Sequence, residues 1–225
     1  MAHYFGFIPS QKLSDMIDEA EHLIYTKANV DYYPYRNALV QQIARELNDN
    51  FLVRLVQTTP NPERKAAMGK IATTIERSTE SMLKVLLGKD SNEDILPSFY
   101  FLENETMFID NDGKRRVGFQ LTDAQVQTIH KGFDAVSDDH VDLADFKQAL
   151  ITMSDAAMYH FMTRFTQTLK LGMIKRRAIP VTKAAIDKGM GIALNRLLPQ
   201  LPNDGVNRLA QFYRPYFIEI PDNAE

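Results

Sequence analysis

The sequence predicts a mainly α-helical, multi-helix bundle with an antiparallel long-helix pair and a small β-hairpin insertion. Three observations carry that expectation. Apolar residues recur every three or four positions over most of the 225 residues. The gaps between those stretches hold cap and turn chemistry. One stretch, within 98–121, changes from that rhythm to strand-like runs around an Asn-Asp-Gly turn.

The first ten residues alternate aromatic and small side chains, which suits a short extended segment. Ser10 offers an N-cap, and Leu13, Ile17, Ala20 and Ile24 follow at helical spacing. Pro34 restarts the chain after Asp31-Tyr-Tyr, and Leu39, Ile43, Leu47, Phe51 and Leu55 mark a second helix. Asn61-Pro62-Glu63 is a helix start with Asn as cap and Pro at the first helical position. Met68, Ile71, Ile75, Met82 and Leu86 then form the third stripe, and the short turn between the second and third helices requires antiparallel packing.

Ser98–Leu102 is expected to be extended, and Thr106–Ile109 and Val117–Leu121 are expected to pair across Asn111-Asp-Gly113. Thr122 with Gln125 predicts a capping box. Leu143, Phe146, Leu150, Met153, Ala157, Phe161, Phe165 and Leu169 predict one long helix. Pro180 opens another, with Ile186, Met190, Ala193 and Leu197 inward. A short helix near Asn203 and an extended tail complete the chain. The expected organisation is one domain, 1–225, with a helical hairpin over 10–88, the β-hairpin over 98–121, and a helical part over 122–225 whose C-terminal segment is basic.

Composition excludes several chemistries. There is no Cys, so no disulfide, thiolate nucleophile or Cys-ligated metal exists here. The first residues lack a basic, apolar leader pattern, and no uncharged apolar run reaches the roughly 18 residues of a spanning helix. A cytoplasmic placement is expected by default, as is the absence of a cofactor. No Gly-x-Ser-x-Gly, phosphate loop or dinucleotide fingerprint occurs.

The charge layout is the least ordinary feature. Between His160 and Tyr216 lie ten cations and two acids, a net of +8, so the rest of the chain carries −11 of the overall −3. Asp90–Asp112 alone holds seven acids and no Lys or Arg. Arg164, Lys170, Lys175, Arg176, Arg177, Lys183, Lys188 and Arg196 are therefore the candidate residues for an anionic partner: an acidic protein, nucleic acid or an anionic lipid surface.

Phe133–Phe146 resembles a single EF-hand loop, with Asp134, Asp138, Asp142 and Asp145 at positions one, five, nine and twelve and Val141 at eight. Val136 stands where a ligand belongs, Asp139 where the turn glycine belongs, and Asp145 is shorter than the usual bidentate Glu. The loop is read as structural and no metal is assigned to it, with Asp142 capping the following helix. The function expected is that of a non-enzymatic binding or regulatory protein. The alternatives are a helical small-molecule binder with an apolar cavity between Met- and Phe-rich helices, or an enzyme with a dispersed site.

Overall fold

In the computed structural model, which describes residues 1–137 and 140–221, helices surround a four-stranded antiparallel sheet. Strand β1 (Ala2–Phe7) leads into α1 (Gln11–Tyr25) and α2 (Tyr33–Asn48). After α3 (Arg54–Thr58) the chain turns back along α4 (Pro62–Leu86). Next come α5 (Asn92–Glu105), the hairpin β2 (Met107–Ile109) and β3 (Arg115–Gln120), α6 (Asp123–Asp134) and α7 (Leu143–Met158). Short α8 (Phe165–Gln167) and α9 (Met173–Arg176) precede α10 (Ala178–Ile192), α11 (Asn203–Tyr213) and β4 (Phe217–Ile220).

The caps are those the sequence announces. Ser10, Asn61 and Thr122 each accept from a backbone N–H of the first turn, and Thr122 and Gln125 complete the reciprocal box. Contacts between the chain over 36–57 and the chain over 65–88 step in opposite directions. Arg36 donates to the Gly88 carbonyl at 3.1 Å, Arg45 pairs with Glu80 at 3.0 Å, and Lys65 donates to the Gln57 carbonyl at 3.3 Å. The pair is antiparallel. Arg36 is only 1% exposed and bonds Asp90 at 2.7 Å, so its buried charge is matched.

Part of the 98–121 region differs from the sequence expectation. Ser98–Leu102 belongs to α5, because Ser91 caps it and Ile95, Phe99 and Leu102 form a helical stripe beneath the aromatic run. The hairpin thus begins at Met107, and it is not an isolated insertion. In the strand order β2-β3-β1-β4, β3 pairs with β1, and β1 pairs in turn with β4 from the far end of the chain. Its turn is held by Asp110, whose Oδ1 accepts from Asp112 and Lys114 N–H at 3.0 Å each, with Gly113 at φ +73°.

Phe5, Phe7, Val117 and Phe119 share the buried face of the sheet. On the other face Gly6 opposes Gly118, and a Cβ at Gly118 would fall 2.1 Å from the Phe5 carbonyl oxygen. Along the other long contact, α10 crosses α4 where Gly189 meets Ile71 and Ile75.

The predicted single helix over 143–169 is interrupted. Among the described residues, three segments open into wide i→i+5 turns: Asp49–Val53 after α2, Tyr159–Arg164 after α7, and Ala193–Leu197 after α10. Each coincides with a run of apolar residues spaced four apart without a three-residue step: 39, 43, 47, 51, 55; then 153, 157, 161, 165, 169; then 186, 190, 194, 198. A regular helix of 3.6 residues per turn lets such a stripe drift off its face, and one wide turn brings it back. In the third run this buries Leu194 and Leu198, where the sequence pointed to Ala193 and Leu197.

Candidate ligand cavity

The three wide turns converge on one cavity of about 550 Å³. Ile43, Phe51 and Leu55 form one wall, Met153, Ala157 and Phe161 a second, and Met190, Ala193 and Leu194 a third. Met68 and Ile75 of α4 and Phe212 of α11 close the remaining sides. The sheet lies behind it: Phe5 stacks on Phe51 with ring centroids 4.8 Å apart, and Phe119 meets Phe161 at 5.8 Å.

A wide turn weakens local backbone bonding, and side chains compensate here. The Tyr213 hydroxyl donates to the Phe51 carbonyl at 2.8 Å and the Tyr216 hydroxyl to the Asn50 carbonyl at 3.1 Å. Burial pushes the Tyr213 hydroxyl far above its ordinary pKa, so it remains a neutral donor. Asn50 itself donates to the Glu46 carbonyl at 2.8 Å.

Asn48 is the exception. It is buried in the cavity wall, and neither its amide nitrogen nor its oxygen has a hydrogen-bond partner among the described residues. An unsatisfied buried amide costs about 1–3 kcal/mol. The carboxamide keeps one donor group and one acceptor unused behind the wall of a mostly apolar chamber, both atoms covered by neighbouring side chains, so a ligand reaches them once the Asn48 side chain turns inward. Arg45, Glu76 and Glu80 add charge to the lining, Arg45 and Glu80 being tied to each other.

His160, in the second wide turn, stacks on Phe119 at 4.6 Å, and its buried Nδ1 lacks a partner among the described residues. Burial holds its pKa below the ordinary histidine value, neighbouring Arg164 lowers it further, and Glu105 opposes the shift.

The cations singled out in the sequence are dispersed. Arg164 pairs with Glu105 at 2.7 Å and Lys170 with Asp94 at 3.1 Å, so two of them face the acidic 90–112 segment. Lys183 pairs with Asp187 at 2.7 Å, Lys175 donates to the Leu86 carbonyl at 3.1 Å, and Arg176 donates to Leu171 at 3.1 Å. Arg177, Lys188 and Arg196 are exposed and have no acidic partner among the described residues.

In the EF-hand-like loop, Asp142 caps α7 through the Ala144 and Asp145 N–H groups, and Asp145 pairs with Lys131 at 2.9 Å. Asp134 ends α6 and is exposed, and Asp138 lies outside the described residues.

No protein-family model matches the chain, and no curated protein or solved structure matches it either. The functional reading therefore stands on the geometry of the chain itself. Sequence reasoning named a cavity between Met- and Phe-rich helices only as an alternative, and it did not single out Asn48. The run of four-residue spacings was the available signal, because it marks where helices must widen.

Proposed function

We propose that this is a binding protein whose ligand is a small, largely apolar molecule with one hydrogen-bonding group, held in the chamber between the three widened helices. The mostly apolar chamber supports the reading most directly, with the Asn48 carboxamide, unpartnered among the described residues, behind its wall. A chamber of about 300–1,000 Å³ with few polar groups is the ordinary form of a small-molecule site. Wide turns are frequent at functional sites, and three of them line this one.

N-phenyl-1-naphthylamine, neutral and apolar with a single N–H, is a suitable fluorescent probe. Saturable binding with blue-shifted emission is the expected result for the full chain. Ala193→Phe projects a ring into the chamber and should weaken binding strongly. Asn48→Leu should weaken it by about tenfold, the worth of one hydrogen bond. Probe binding that is unchanged in both variants would remove the proposal.

A second reading, engagement of an anionic lipid surface, is favoured by one observation. Met173 and Ile174 are 84% and 83% exposed beside Lys175, Arg176 and Arg177, and Val181 is 71% exposed. Met173, Arg177 and Val181 recur every fourth residue across α9, the turn at Arg177 and the start of α10, mixing apolar and cationic side chains as interfacial helices do. Among the described residues no helix is long and apolar enough to cross a membrane, so the contact would be peripheral. Co-sedimentation with phosphatidylserine vesicles, lost in added salt and in the combined Ile174→Ser, Arg176→Glu, Arg177→Glu variant, is expected. Equal binding to neutral phosphatidylcholine vesicles would overturn it, and binding to short RNA instead would reassign the cations.

A further inference from the structure

A separate cluster lies at one end of the sheet. His3 on β1 and Glu219 on β4 are directly opposed cross-strand partners, and His130 reaches them from α6. His3 Nδ1 and His130 Nε2 each lie 3.8 Å from Glu219 Oε1, and one ligand atom from each residue falls within 4.8 Å of the other two. The two imidazole rings meet edge to face with centroids 5.8 Å apart. We propose that His3, His130 and Glu219 form a binding site for a divalent transition-metal ion of the zinc class.

Both 3.8 Å separations are too long for hydrogen bonds, so the three groups converge without bonding one another. Zinc held by His nitrogen and carboxylate oxygen at about 2.0–2.2 Å in tetrahedral geometry sets ligand atoms about 3.3 Å apart. The observed spacing is wider, 3.8 Å to the carboxylate oxygen and within 4.8 Å across the three, and side-chain rotation can close it, because the His130 and Glu219 side chains are 51% and 53% exposed. Two His and one carboxylate with a fourth position left for water is an established zinc donor set.

The backbone beneath the cluster is fixed. The His3 carbonyl accepts from Leu121 N–H at 2.8 Å and the Glu219 carbonyl from the Asn111 side chain at 2.7 Å. The capping box at Thr122 starts α6 directly after β3 and so sets the position of His130. The three residues help line a small pocket of about 110 Å³, ample for an ion and a water, whose share of liquid volume is about 30 Å³. Metal here would tie both ends of the chain to α6.

Calorimetric titration of the full chain, free of any polyhistidine tag, with zinc chloride tests the assignment, together with visible absorption after cobalt(II) addition. One ion per chain is expected, with ligand-field bands of low coordination number and affinity falling in acid, where protons compete with the ion for its ligands. His3→Ala, His130→Ala and Glu219→Gln should each weaken binding by about tenfold or more while leaving N-phenyl-1-naphthylamine binding intact. His130 is exposed, so its variant keeps the test independent of folding. Zinc affinity and stoichiometry unchanged in His130→Ala and Glu219→Gln, or no zinc bound to wild type at micromolar concentration, overturns the site.

Discussion

Helix α4 and the helix that runs from α7 into α8 are of similar length, and they solve the same packing problem differently. In α4 the inward residues 68, 71, 75, 82 and 86 mix steps of three, four and seven, matching 3.6 residues per turn, and the helix runs unbroken for 25 residues. From Met153 to Leu169 every step is four, and the helix opens at Tyr159–Arg164. The regular helix buries its stripe against two neighbours. The widened one keeps its stripe aligned at the expense of regular bonding, and with its two counterparts it leaves a hollow. All of these helices line the chamber, and period, not hydrophobicity, separates the regular helix from the widened ones.

Single-residue deletions break that comparison most sharply. Removing exposed Arg77 from α4 rotates everything beyond it by about 100° and turns Met82, Leu83 and Leu86 off the core. No cooperative thermal transition should remain. Removing exposed Asn195 takes out the additional residue of a wide turn and restores ordinary helix. That variant should fold, lose no more than about 3 kcal/mol in urea denaturation, and lose probe binding. Equal damage from the two deletions would show that the wide turns are as intolerant as α4.

Asn48→Leu sharpens the contrast from the other side. Replacing an orphaned amide by an apolar side chain of similar size should raise stability by about 1–2 kcal/mol while binding weakens. A stability loss would mean that the carboxamide is satisfied in the folded chain.

The smallest effect concerns acid. Because the folded-state pKa of His160 is lowered, the unfolded chain binds its proton more readily. The stability His160 contributes is present above the unfolded value of about 6.5 and is lost as pH falls from there through the lowered folded value. Urea midpoints at pH 7 and pH 5 should differ more for wild type than for His160→Gln. An identical pH dependence would place the wide turn's histidine in water.

Much of the fold was legible because local rules decide it. Ser10, Asn61 and Thr122 cap where they were expected to cap, and the turn after Leu55 forced α2 and α4 antiparallel. Ser98–Leu102 misled because an aromatic run suits either state, and the cap at Ser91 settled it as helix. Within the basic segment, Arg164 and Lys170 find acids 59 and 76 residues earlier in the chain, a pairing no local pattern encodes.

The sequence by itself determined the helical class, the caps, the hairpin turn and the four-residue rhythm that widens three helices. Each is written in neighbours a few positions apart, where steric and hydrogen-bonding preferences act. Tertiary structure alone decided that those three wide turns face one another, that Asn48 is left without a partner among the described residues, and that His3, His130 and Glu219 meet. Those are distances between remote parts of the chain, and only the packing of whole elements sets them.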